Sequence, residues 1–205
     1  MKIICIGRNY LEHARELNSP VPSEPVFFLK PDSAIVRNNA PFFLPDFSNE
    51  VHYEVELVFR IGKLGKSIGE RFAMGYIDAV ALGIDFTARD LQQHCKEKGL
   101  PWEKSKAFDG SAPISRFLPF PSENHPDEAG LCFHLDLNGK TVQKACGADM
   151  LFPPAKLIAH VSRFMTLKTG DLLFTGTPAG VGPVSIGDHL EAWLGEKKML
   201  DFWVR

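Results

Sequence analysis

The stretch EVHYEVELVF, residues 50–59, carries the reading of this chain. Taken with a period of two, it places Val51, Tyr53, Val55, Leu57 and Phe59 on one face and His52, Glu54, Glu56 and Val58 on the other. That alternation predicts a half-buried β-strand. Two carboxylates two residues apart repel each other unless water or a cation lies between them. The stretch alone therefore leaves two readings open, a solvated strand face or half of a metal site.

A third carboxylate bears on that choice. Asp85 ends the apolar run AVALGID, where a carboxylate must be paired, hydrogen-bonded or metal-bound to be tolerated. The plainer alternative has Asp85 bonding backbone amides at the start of the next helix. Glu54, Glu56 and Asp85 on two strand ends would form a hard-oxygen site suited to Mg²⁺, Mn²⁺ or Ca²⁺ rather than zinc, with positions left for a chelating substrate.

The rest of the sequence sets the frame. Its 205 residues suit one domain and a sizeable core, and 44% hydrophobic with 23% charged residues is a globular balance. The formal net charge is -2 without a basic block, so neither nucleic acid nor an anionic membrane is an expected partner, and small-molecule chemistry is favoured. The opening run MKIICIGRNY is too short for a signal peptide or a membrane span. Cys5, Cys95, Cys132 and Cys146 form no C-x-x-C pair, and they read as reduced thiols of a cytoplasmic enzyme.

Short apolar runs closed by Gly, Pro or Asn recur along the chain and predict strands. FHLDLNGKTVQKA turns at Asn138-Gly139, and HLEAWLGEKKMLDFWVR turns near Gly195-Glu196, as two hairpins. Helices are few: residues 11–17; a short one with Ser67 and Glu70 as a capping box; ARDLQQHCKEK, begun by Thr87 and ended by Gly99; and PPAKLIAHVSRFMTL, with Leu157, Ile158, Val161, Phe164 and Met165 as its core stripe. Dominant strands with inserted helices predict an α+β fold around a large mixed sheet.

Other chemistry-bearing residues cluster by spacing. Arg89 and Gln92 share a helix face, from which Arg can clamp a carboxylate and Gln can donate a further hydrogen bond. Of Lys104 and Lys106, one can point at an anionic intermediate while the other meets water. His13 and Glu16 lie three apart, a spacing at which a carboxylate orients an imidazole as a general base, although His13 alone reads as a surface histidine. DLLFTGTPAGVGP, residues 171–183, offers amides and Thr hydroxyls to an anion but lacks the lysine of a P-loop.

GRNYLEHARE, EPVFFLKP, HYEVELV, GIDFTARDLQ, GLPWEKSKAFDGSAPIS and LFTGTPAGVGP, in this order, resemble the fumarylacetoacetate hydrolase family in its compact acylpyruvase-like branch. The resemblance spans nearly the whole chain and implies a mixed-sheet β-sandwich roll, one catalytic domain over residues 1–205 and, in general, a homodimer. It implies Glu54, Glu56 and Asp85 as ligands of Mg²⁺ or Mn²⁺, and His13 with Glu16 as a water-activating dyad on a mobile lid, residues 8–20. It implies Lys106 as the active-site lysine and Arg89, Gln92 and Thr177 as substrate contacts. The expected reaction is hydrolytic carbon–carbon cleavage of an acylpyruvate or fumarylpyruvate to pyruvate and a carboxylic acid. Decarboxylation of oxaloacetate or keto–enol isomerisation on the same site is the alternative. A rival from another class, a non-catalytic module with a structural cation, would leave His13, Glu16, Arg89 and Lys106 without a common purpose. The loops at 33–47 and 121–130 match no shared motif.

Overall fold

The computed structural model describes residues 1–16, 20–121 and 127–205. A six-stranded sheet runs in the order Val26–Lys30, Ile3–Gly7, Leu172–Phe174, Val55–Ile61, Ile77–Ile84, Leu118–Pro119. Ile3–Gly7 and Leu172–Phe174 are parallel and the other neighbours antiparallel, so the sheet is mixed. A second, antiparallel sheet of four strands is made by the two hairpins, Cys132–Leu137 with Lys140–Cys146 and His189–Leu194 with Lys197–Trp203. Few helices accompany these sheets, and the fold is α+β as the strand pattern predicts.

The main core lies between the two sheets, where Leu57, Phe59, Val80 and Leu82 meet Phe133, Leu135, Leu190 and Phe202. Burying side chains of this size contributes roughly 1.5–3 kcal/mol each. Ile3, Cys5, Val58, Ala81 and Phe174 form a second apolar cluster, so both faces of the larger sheet are covered. The opening stretch consequently differs from a half-buried strand. It is two strands, Val51–Tyr53 and Val55–Ile61, broken at Glu54, and Glu54 and Glu56 are as buried as their apolar neighbours.

Asn138 and Gly139 both take positive φ, 53° and 77°, as a two-residue hairpin turn requires. Gly99, at φ 64°, ends the helix Arg89–Lys98, its N–H bonding back to the carbonyls of Cys95 and Lys96. Three local expectations need correction. Ser67 caps nothing, because the helix begins only at Glu70, after Gly69. Thr87 lies on the short strand Thr87–Ala88, and its hydroxyl donates to the Asp85 carbonyl; the Asp90 carboxylate, not Thr87, bonds the Leu91 N–H. Phe164 is 58% exposed, because the helix Pro154–Phe164 ends at it and the ring turns onto Phe27 and His160 instead of the core.

The cysteine reading is also corrected in part. Cys5 and Cys95 are free and buried, but Cys132 and Cys146 face each other across the first hairpin and form a disulfide. Reduced thiols throughout were the premise for a cytoplasmic location, and that premise no longer holds. The expected lid, residues 8–20, contains the helix Leu11–Glu16, while 17–19 lie outside the described residues, as do 122–126 of the loop at 121–130.

Candidate active site

Strand register brings the carboxylates together. Val55 pairs with Ile84, so Glu54 and Asp85 are the next residues outward, and the Asp85 N–H donates to the Glu54 carbonyl at 2.8 Å. The neighbouring Phe86 ring stacks on Phe42 at 3.8 Å, which anchors the chain beside Asp85. Glu56 opposes Gly83 one step inward, and its Oε2 accepts the Gly176 N–H at 2.7 Å. Glu54, Glu56 and Asp85 are 5%, 1% and 1% exposed, and an oxygen from each lies within 4.8 Å of the others.

Three cations answer two of the three carboxylates. Lys106 Nζ donates to Glu54 Oε2 at 2.7 Å and Asp85 Oδ2 at 2.8 Å, while Arg89 donates to Glu54 Oε1 at 2.5 Å. Lys30, fully buried at the end of Val26–Lys30, stands 2.8 Å from Asp85 Oδ1 and donates to Ser111 Oγ and to the carbonyls of Phe86 and Lys106. Burial opposes ionisation of Glu54, but Lys106 and Arg89 overcome it and hold its carboxyl well below the usual range. Burial, with Asp85 and Glu54 alongside, pushes Glu56 well above that range. Burial likewise disfavours the Lys106 ammonium, yet Asp85 and Glu54 raise its pKa. Lys104 points to solvent, as one of the two lysines was expected to.

The donor set fits a hard divalent cation. All three residues offer carboxylate oxygens, and Asp85 Oδ1, despite its closeness to Lys30, makes no hydrogen bond though fully buried. Lys106 now supplies positive charge between two of these carboxylates, so an ion entering there would share or displace that contact.

His13 is 5% exposed, not the surface histidine its composition suggests. Its Nδ1 lies 3.2 Å from Glu16 Oε2, and the Glu16 carboxylate accepts the Gly180 N–H at 3.1 and 3.3 Å. With Nδ1–H donated to Glu16, Nε2 keeps its lone pair. Burial lowers the His13 pKa, against the pull of Glu54 and Glu16, which favours the neutral ring. Asn9, bonded to the carbonyls of Phe152 and Thr175 and to the Phe152 N–H, ties this segment to the sheet.

Of the site residues singled out from the sequence, all line one cleft except Lys104 and Glu16, the latter standing behind His13. Arg89 and Gln92 do share a face, and Arg89 Nη1 donates to Gln92 Oε1 at 2.7 Å. Thr177 reaches the cleft, but its hydroxyl donates to the Val55 carbonyl and accepts from Gln143 Nε2. The hydroxyl proton thus belongs to the fold. Gln143 and Lys30 are the residues that sequence reasoning missed. Gln143, 1% exposed, also bonds the Val55 N–H and the Pro178 carbonyl, and so joins the hairpin sheet to both the carboxylate strand and the Thr177 loop.

Buried carboxylates with basic partners and a histidine paired with a carboxylate gather at the strand ends of a mixed sheet, a donor set that could hold a hard divalent cation. The chain belongs to the fumarylacetoacetate (FAA) hydrolase C-terminal family, whose model matches residues 2–202. It is 43% identical over 203 residues to the mitochondrial oxaloacetate tautomerase FAHD1 of Mus musculus, covering 99% of this chain and 91% of the relative. It is 42% identical over 189 residues to the oxaloacetate tautomerase YcgM of Escherichia coli, covering 92% and 86%. Among solved structures, fumarylpyruvate hydrolase from Pseudomonas aeruginosa, in complex with Mn²⁺ and pyruvate, superposes with a TM-score of 0.92 at 37% identity, covering 100% of this chain and 89% of that one.

Proposed function

We propose that this chain is a divalent-metal-dependent enzyme of 2-oxo acids, and that its reaction is the keto–enol tautomerisation of oxaloacetate. The observation that carries this reading is the buried His13, paired with Glu16 and lining the same cleft as the Glu54, Glu56 and Asp85 set. The two oxaloacetate tautomerases at 42% and 43% identity support it. Glu54, Glu56 and Asp85 would hold Mg²⁺ or Mn²⁺, which when bound supplies Lewis-acid charge for an enolate oxygen.

The residues of the chain then divide the work. His13 Nε2 takes a proton from the carbon between the keto group and the distal carboxylate, and the C–H electrons form the carbon–carbon double bond. Glu16, fixed by the Gly180 amide, holds the imidazolium that forms. The Lys106 ammonium stabilises the negative charge arriving on the former keto oxygen, and reprotonation at that oxygen completes the enol. Gln92 keeps its side-chain N–H₂ group to donate to the substrate carboxylate beside Arg89.

The hydrolysis of acylpyruvates or fumarylpyruvate stands as a second reading, favoured by the fumarylpyruvate hydrolase relative and by the same base, which can equally deprotonate a water. One experiment divides the readings. Oxaloacetate, acetylpyruvate and fumarylpyruvate are supplied with and without Mg²⁺, while enol absorbance and pyruvate release are followed together. Tautomerisation changes the absorbance without releasing pyruvate. Stoichiometric pyruvate from the acylpyruvates with no effect on oxaloacetate would replace the first reading by the second. The homodimer is carried forward as a proposal, tested by sedimentation.

A further inference from the structure

The basic side chains around the cleft fall into two groups. Lys30, Lys106 and Arg89 form ion pairs with Glu54 and Asp85, so each of these three cations has a carboxylate partner. Arg8 and Lys96 line the same cleft and form no ion pair among the described residues. Lys96 follows Arg89 and Gln92 on one face of the helix Arg89–Lys98, one turn beyond Gln92, about 6 Å further along the axis. Gln92 is buried and Lys96 exposed, so that direction leads from the cleft floor to its mouth. Trp102, whose ring centroid lies 5.8 Å from Lys96 Nζ, lines the same opening.

Arg8 is held there at a cost. Its φ is 60°, a left-handed conformation that a side chain with a Cβ seldom adopts. The three hydrogen bonds of the next residue, Asn9, fix the backbone that imposes it. Partial burial, and then the positive charges of Arg89 and Arg8, hold the Lys96 ammonium below the usual lysine value, as expected of cations that share one space. Gathering like charges without a counter-charge opposes folding, whereas an anionic ligand turns the same arrangement into a binding device.

We propose that Arg8 and Lys96 form a distal-carboxylate subsite that selects 2-oxo acids carrying a second carboxylate over those with an uncharged tail. The assignment rests on the proposed function in that the 2-oxo acid head sits at the Glu54, Glu56 and Asp85 set. It adds which residues read the other end, and it places dicarboxylates ahead of acylpyruvates with a neutral acyl group.

The test is calorimetric binding of a matched pair, 2-oxoglutarate and 2-oxopentanoate, to the Mg²⁺-loaded protein. The two share head and chain length, and a carboxylate in one replaces a methyl in the other. Arg8→Gly removes the guanidinium and suits the left-handed backbone, and Lys96→Met removes an exposed ammonium; each is made alone and together, with thermal unfolding as the fold control. Wild type should bind the dicarboxylate more tightly. In the double variant the ratio of the two affinities should fall roughly ten- to hundredfold, the range for charge-assisted hydrogen bonds. An unchanged ratio, or equal weakening of both ligands, would overturn the subsite. Failure of both ligands to bind wild type would overturn the head-group site and the subsite with it. Absence of oxaloacetate tautomerisation in wild type, with the ratio behaving as expected, would remove the proposed activity and leave the subsite standing.

Discussion

Lys106 Nζ stands 2.7 Å from Oε2 of Glu54, and both side chains are almost fully buried. The lysine therefore acts as an internal counter-ion for the carboxylates that would hold a metal. Lys106→Met leaves Glu54 with Arg89 and Asp85 with Lys30 but removes the ammonium between them, so it should destabilise by less than the ~3–5 kcal/mol of a buried charge left unpaired. Saturating Mg²⁺ or Mn²⁺ should restore much of that, so the metal-induced rise in Tm should be larger in the variant than in wild type. Equal rises would show that the ammonium and the ion do not serve the same carboxylates.

Glu56 should make metal binding release a proton. Its pKa is raised by burial and by Asp85 and Glu54, whereas an unfolded glutamate titrates near ~4.3. Between those values the folded, metal-free protein binds more protons than the unfolded chain, so its stability falls as pH rises. A cation expels that proton, and its affinity should therefore rise with pH through the same window. Calorimetry in buffers of different ionisation enthalpy measures the release. In Glu56→Gln the release should vanish and affinity should drop, while the fold persists, since an amide oxygen can still accept the Gly176 N–H. A binding enthalpy independent of buffer in wild type would refute the proton coupling.

Gly180 holds the dyad from behind. Its N–H meets the Glu16 carboxylate, its φ is 99°, and a Cβ there would lie 2.1 Å from the Val142 carbonyl oxygen. Gly180→Ala must therefore move the loop away from Glu16. Turnover that depends on His13 should fall by ~10²-fold, as expected for a misplacement of about an ångström. Metal affinity should be unaffected. Wild-type turnover in Gly180→Ala would show that the amide does not position Glu16.

How much of this was legible follows from where each residue's signal lay. Glu54, Glu56 and Asp85 stood out because carboxylates interrupt apolar strands, and register alone then brings two strand ends together. That the stretch breaks at Glu54, with both faces buried, depends on sheet packing that no local period encodes. Lys30 carried a signal that was passed over, a lysine closing the apolar run VFFLK. Gln143 carried another, since it falls on the inward parity of its hairpin, opposite Leu135. The disulfide was readable in the same register: Cys132 and Cys146 flank Asn138-Gly139 almost symmetrically, and the irregularity at Leu135/Asp136 absorbs the odd residue. The general rule on redox compartment outweighed that local geometry.

On the proposed function, the His13–Glu16 pair separates the reactions open to the cleft. Tautomerisation must remove a proton from carbon, and hydrolysis must deprotonate a water; both would use the Nε2 lone pair of His13. Decarboxylation needs only an electron sink. His13→Ala should therefore lower tautomerisation, and any acylpyruvate hydrolysis, by ~10²–10⁴-fold, while oxaloacetate decarboxylation suffers much less. Glu16→Gln should show the same asymmetry in weaker form, because it misorients the ring without removing it. The pH profile supplies a second arm. Burial lowers the His13 pKa, and protonation removes the lone pair, so the acid limb of kcat/KM should lie below the ordinary histidine value of ~6.5. Enol absorbance and pyruvate release, followed together across pH in wild type and both variants, measure all of these outcomes. If the three activities fall equally in His13→Ala, or if tautomerisation survives, His13 is not the base, and the helix Leu11–Glu16 serves only to close the cleft.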